Sequence, residues 1–325
     1  MISGVLKRAF QCLVLIAGFS AAFAVPAAPA GLSDGFHVGQ PDTGIQPDGS
    51  QAMRKKAAAG DVQSQMALAA YFHANSLDAD SVHWLRAAAG QGYAPAENAL
   101  GLAYYRGTGV PINVDQAEFW FYKAAKQGDS GGANNLAVLN DKLGGGSKQG
   151  SYQVVFWFLR AASQGFAVAQ NNLGLAYQKG YGVSWDYKKA ATWFRRAASQ
   201  GNADAENNLG YEYMNGLGVN TDYHKAAHWI KKAAAKQNMA AQYNLGMLYK
   251  NGQGVKKNDV RAVFYFRQAA NAGMAAAQNE LGLAYYYGRG VYKDYPKAAH
   301  WFLLAAGQQY APAIKNLHTL ANVRP

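Results

Sequence analysis

The chain has 325 residues, a formal net charge of +12, half of its residues hydrophobic, and one cysteine, Cys12. A lone cysteine excludes a disulfide framework and cysteine-ligated metals, while the charge favours anionic partners such as acidic proteins, polysaccharides or lipid head groups. This length ordinarily implies one large or two small domains, but an internal period of 36 or 37 residues overrides that count and points to a solenoid.

Residues 1–24 read as a secretory signal peptide. Lys7 and Arg8 precede an apolar run from Ala9 to Phe19, and Ala22-Phe23-Ala24 supplies the small-x-small pattern ahead of a cut before Val25. An uncleaved anchor is the competing reading, although the run is shorter than the ~20 residues that span a bilayer. Cleavage removes Cys12 and two basic residues, leaving a cysteine-free chain of charge +10. A periplasmic or secreted bacterial protein without disulfides fits that outcome, and export sets nucleic acid aside as a partner. Residues 25–50, with Pro26, Pro29, Pro41 and Pro47, read as a flexible linker.

Repeats are expected over 51–322. Trp84, Trp120, Trp157, Trp193, Trp229, Tyr265 and Trp301 form one ladder, and Leu100, Leu136, Leu173, Leu209, Leu245, Leu281 and Leu317 form a second. In the unit from Ala167 to Gly201, Ala169, Leu173, Ala176 and Tyr177 make one apolar stripe of a first helix. Gly180-Tyr181-Gly182-Val183 stops it, since glycine accepts the left-handed backbone of a capping turn. Asp186 then caps a second helix, as Asn113, Asp222, Asn258 and Asp294 do at the same register, and Ala190, Trp193, Phe194, Ala197 and Ala198 are predicted along its buried face. Small faces meet: Gly101, Gly174, Gly210, Gly246 and Gly282 follow the leucines, opposite the alanines of the second helices.

The phrase AxAQNNLGxxYxxGxGVxxDYxKAxxWFxxAAxQG resembles the Sel-one-like repeat, a relative of the tetratricopeptide repeat, through Leu173-Gly174, Tyr177, Ala190, Phe194 and Ala197. The resemblance implies an all-α, right-handed superhelical solenoid of about seven helix-turn-helix repeats of ~36 residues with a C-terminal capping helix. Departures are local. Asn140 stands where tyrosine is expected, the loop after it reads Leu143-Gly144-Gly145-Gly146-Ser147, and Gln237 and Gln309 replace the glycine that closes the second helix.

No catalytic constellation emerges. His224 and His228 are four apart, but His83, His228 and His300 share one repeat register, and no HExxH phrase accompanies them. The Gly-x-Gly loops follow helices and so are caps, not phosphate cradles. Ser-x-x-Lys does not occur, and Gly-x-Ser-x-Gly occurs only as Gly31-Leu32-Ser33-Asp34-Gly35 and Gly128-Asp129-Ser130-Gly131-Gly132, with no base evidently supplied to either serine. No cofactor, metal or catalytic residue is therefore assigned.

The functional hint lies in Asn98, Asn134, Asn135, Asn171, Asn172, Asn207, Asn208, Asn244 and Asn279 on the first helices, with Asn316 beyond them. The tetratricopeptide relationship implies that residues just before the leucine face a concave groove, where asparagine holds an extended peptide by its paired donor and acceptor. The alternative is that they bond across repeats and keep the units in register. Tyr105, Tyr211, Tyr286 and Tyr287 are expected at the groove edge, and Arg195, Arg196, Lys231, Lys232 and Arg267 on the convex side. The expected function is a non-enzymatic scaffold or adaptor holding an envelope protein or peptide. The alternatives are an anionic envelope polysaccharide as partner, or the cell-wall or β-lactam-directed hydrolysis that the resemblance implies through cysteine-rich relatives.

Overall fold

A computed structural model describes residues 51–144 and 148–321; the expected signal segment and linker lie outside them. Among the described residues there are sixteen helices and no strand. The helices are α1 (Gln51–Ala58), α2 (Val62–Ala74), α3 (Asp78–Gly90), α4 (Ala94–Arg106), α5 (Val114–Lys126), α6 (Ser130–Gly144), α7 (Lys148–Ser163) and α8 (Ala167–Lys179). They continue as α9 (Tyr187–Ser199), α10 (Ala203–Asn215), α11 (Tyr223–Ala235), α12 (Met239–Asn251), α13 (Asp259–Asn271), α14 (Ala275–Tyr287), α15 (Tyr295–Gly307) and α16 (Ala311–Ala321). From α2/α3 to α14/α15 they pair into seven units, with α16 closing the C-terminal side and α1 an additional helix packed on α2.

Each boundary has a local cause. First helices end on glycine in the left-handed region, with φ between 68° and 72° at Gly107, Gly180, Gly216, Gly252 and Gly288. Second helices open where Asn113, Asp186, Asp222, Asn258 or Asp294 accepts the backbone amide three residues on. Those backbone bonds hold the Asp186, Asp222 and Asp294 carboxyls below the usual carboxylate range. At the far end of α11 and α15, Gln237 and Gln309 adopt φ of 62° and 61°, doing with a side chain what glycine does in the other units.

Packing follows the small-against-large rule at one close approach per unit. A Cβ added to Gly174 would lie 2.6 Å from Cε1 of Phe194, and Gly101, Gly210, Gly246 and Gly282 are equally pressed by Phe121, Ile230, Phe266 and Phe302. In the third unit Ala137 takes the glycine's place opposite Phe158. The leucine ladder from Leu100 to Leu281 is buried. Each fully buried side chain of this size contributes roughly 1.5–3 kcal/mol, so the core grows unit by unit.

The tryptophan ladder requires a correction. It was expected on the buried face, but its members are half-buried, and the fully buried large residue is the next one, as at Phe121, Phe194, Ile230 and Phe302. The indole shields the seam from above while a cation one turn on lies over it. Arg196 stands 4.5 Å from the Trp193 ring centre, Lys232 4.7 Å from Trp229, and Lys123 4.8 Å from Trp120.

Candidate interaction surfaces

Successive first helices approach one another, α4 against α6 and α6 against α8. That places first helices on the inner side of the curve and second helices on the outer side. The asparagines lie between neighbouring first helices and are buried. Asn135 Nδ2 donates to Asn98 Oδ1 at 2.9 Å, Asn172 to Asn134 at 3.1 Å, Asn208 to Asn171 at 3.0 Å and Asn244 to Asn207 at 2.8 Å. The spine is interrupted where Tyr243 and Glu280 occupy its two positions, and resumes with Asn316 donating to Asn279 at 2.7 Å.

A peptide trough lined by these amides needs them at the surface, and they are inside. The expectation that they line the groove is therefore corrected for Asn98, Asn134, Asn135, Asn171, Asn172, Asn207, Asn208, Asn244 and Asn279. A buried amide left without a partner costs about 1–3 kcal/mol, so the neighbouring unit's complementary amide specifies register.

A second polar row, not singled out from the sequence, joins the turns between units. Gln200 Nε2 donates to Gln170 Oε1 at 2.8 Å and Gln308 to Gln278 at 2.9 Å; in other units Lys236 Nζ donates to Glu206 at 2.8 Å and Gln127 to Glu97 at 2.6 Å. Its signal is the recurrence of Gln or Glu three residues before the ladder leucine.

Of the tyrosines expected at the groove edge, Tyr105, Tyr211 and Tyr286 are half-buried and Tyr287 is exposed. The Tyr105 hydroxyl accepts from Lys142 Nζ at 2.8 Å, and Tyr286 packs edge-on against Tyr287 with ring centres 4.8 Å apart. Tyr211 has its hydroxyl pushed up by burial, with Tyr187 and Glu212 adding to the effect. Glu212 itself is fully buried, with no hydrogen-bond partner for either oxygen among the described residues. Desolvation raises its carboxyl to about 8, against a weaker opposing pull from Arg195.

On the outer side, Arg195, Arg196, Lys231, Lys232 and Arg267 are exposed on second helices. Each cleft between consecutive second helices holds a tyrosine from the first helix between them: Tyr104, Tyr177, Tyr213, Tyr249 or Tyr285. Cations flank it. Arg267 Nη2 donates to the Tyr285 hydroxyl at 3.2 Å while Lys297 Nζ sits 5.6 Å from its ring centre, and Arg86 donates to Tyr104 at 3.0 Å. Asn140 holds this register in α6, and the cleft between α5 and α7 is open, with a volume of about 550 Å³.

His224 and His228 are exposed one turn apart on α11, His228 resting edge-on against Trp229 at 5.2 Å. Among the described residues no group of three or more His, Cys, Asp and Glu side chains could hold a metal ion, and no helix is long and apolar enough to cross a membrane.

A model of the Sel1 repeat matches residues 94–129, 155–166, 167–202, 203–238, 240–274 and 275–310. Among solved structures, a protective antigen present in uropathogenic Escherichia coli strains, displaying an SLR fold, is similar with a TM-score of 0.70 and 36% identity, over 83% of this chain and 58% of that one. A Sel1 repeat protein from Oxalobacter formigenes is similar with a TM-score of 0.64 and 33% identity, over 82% of this chain and 78% of that one. The chain thus spans less than two thirds of the antigen's length. A comparison with curated proteins finds no match. Seven helix pairs sharing one aromatic ladder, five of them with the same leucine-glycine seam and glycine-capped loop, together with these matches over more than half its length, show that the chain belongs to the Sel1 repeat family.

Proposed function

We propose that the protein is an exported, non-enzymatic scaffold that holds a partner protein in the bacterial envelope. The observation that carries this reading is the division of its polar groups. The amides that could do chemistry inside the solenoid are bonded to one another, while aromatic and cationic side chains recur at the surface of successive second helices, as at Phe119, Phe156 and Phe264. Repeated exposed aromatics over a rigid spine suit recognition of a protein surface. The basic leader with its apolar run supports export, and so does similarity to a protein described as a protective antigen.

The test is fractionation of cells expressing the full chain, followed by crosslinking and co-purification. The scaffold reading expects a processed chain beginning near Val25 in the periplasm and a reproducible stoichiometric partner; a cytoplasmic, unprocessed chain without one overturns it. Binding of an acidic envelope polysaccharide is the second reading, favoured by the exposed cations of α9 and α11. Retention on such a glycan that survives molar salt contradicts that electrostatic account.

A further inference from the structure

The third unit departs from its neighbours at several positions that converge on one cleft. Family similarity resumes within it only at residue 155. Asn140 replaces the tyrosine that fills the other clefts. Of the flanking positions, Tyr122 stands where Arg195 and Arg267 stand elsewhere, and Gln153 where Lys189, Lys225 and Lys297 stand. Glu118, exposed, occupies the register of the buried Val82, Val155, Ala191, Ala227 and Val263. Removing a phenol and two flanking cations, and adding a carboxylate, reverses the character of the site.

What remains is a cage of rings with an acidic end. Phe119 and Tyr122 on α5 face Phe156 and Trp157 on α7, with Tyr122 and Trp157 edge-on at 6.2 Å. Phe119 and Phe156 are 50% and 57% exposed, far more than a core aromatic; Lys123 Nζ lies 5.7 Å from the Phe119 ring centre, while Phe156 carries no cation among the described residues and is open to an occupant. Asp115 and Glu118 line the same cleft, one turn or less from Phe119, and neither is paired with a cation among the described residues. Lys126 and Arg160 lie over Tyr122 and Trp157 at 5.4 and 5.5 Å, at the opposite end, and do not line the cleft. The cleft therefore has an apolar middle and an acidic end, and no cation lines it, on an outer face that is otherwise basic.

We propose that this cleft seats a lysine or arginine side chain of a partner polypeptide, its stem on Phe119 and Phe156 and its charged head on Asp115 and Glu118. Rings and carboxylates together select a cation: the ring faces attract it, the carboxylates fix its position, and Asn140 and Gln153 accept its remaining donors. An acidic or phosphorylated side chain meets two carboxylates and is rejected. The inference rests on the scaffold reading and names the chemistry of the partner at one place.

The test uses the purified chain and a fluorescein-labelled decapeptide of alanine, serine and glycine carrying a central Arg-Leu-Arg, against the same peptide with Glu-Leu-Glu, read by anisotropy at 100 mM salt. The arginine peptide is expected to bind at least tenfold tighter. Asn140→Tyr, which restores the side chain of the other clefts, is expected to weaken it at least tenfold while the melting temperature holds or rises, which separates filling of the cleft from misfolding. Asp115→Asn with Glu118→Gln is expected to do the same. Equal binding of both peptides, or Asn140→Tyr binding within twofold of the parent, overturns the proposal. So does a tetramer of N-acetylglucosamine that binds and is lost in Asn140→Tyr while the arginine peptide is ignored. Because peptide and protein are both defined, failure here removes the cleft and leaves partner capture in the periplasm standing.

Discussion

Glu212 is the group whose replacement is expected to change stability most in a pH-dependent way. Its register is held by Ala103, Leu139, Ala176, Leu248 and Ala284 in other units, so α10 carries a carboxyl where its neighbours carry hydrocarbon. Below about 4.5 both folded and unfolded chains hold its proton, and the group is silent. As pH rises towards about 8 the unfolded chain releases the proton and the folded chain keeps it, so stability falls by roughly 1.4 kcal/mol per pH unit. Above 8 the loss levels off, and the whole rise corresponds to roughly 4–5 kcal/mol as an upper bound, because water entering a locally loosened unit lowers it. Glu212→Leu is volume-conserving and matches Leu248. Urea unfolding of parent and variant from pH 5 to 9 is expected to show a small difference at pH 5 that widens to several kcal/mol by pH 8, other titrations cancelling in the comparison. Two parallel pH curves would refute the reasoning, since they would mean that the carboxyl is solvated or paired in the folded chain.

Other outcomes follow from the same packing. Gly174→Ala drives a methyl into Phe194 and is expected to cost about 1–3 kcal/mol, seen as a lower urea midpoint; a neutral result would mean the helices can part without penalty. Gln237→Gly relieves a left-handed backbone and is expected to stabilise by about 1 kcal/mol, measured as a higher melting temperature, with Gln309→Gly smaller because it lies near the end of the array. Asn208→Leu strands the buried Asn171 oxygen and is expected to cost about 1–3 kcal/mol, whereas pairing it with Asn171→Leu recovers part of that loss in a double-mutant cycle.

The helices, their caps and their loops were legible in the sequence because their causes are local: Asp222 reaches an amide three residues away, and Gly216 turns the chain where it stands. The orientation of the asparagines was not. Asn171 and Asn172 are adjacent on one helix, and only the presence of Asn134 on one side and Asn208 on the other turns both inward. The same limit applies to the tryptophans. Trp193 and Phe194 are equally apolar, and which of them is fully buried depends on Gly174 of another helix making room for Phe194 alone. Asn140 was legible as a departure, but its consequence required the two second helices that flank it.

The asparagine spine has unlike ends. At its start Asn98 is followed by Ala99, which presents no donor to the unit before it, and at its finish Asn316 is preceded by Lys315, exposed to water. Whereas α12 and α14 carry a single asparagine each, the units that begin with α6, α8 and α10 each offer one amide forward and one back. A gene that duplicates or deletes one such inner unit joins like to like and leaves no mismatched junction, so the array can change its length by unequal recombination while its two ends stay as they are.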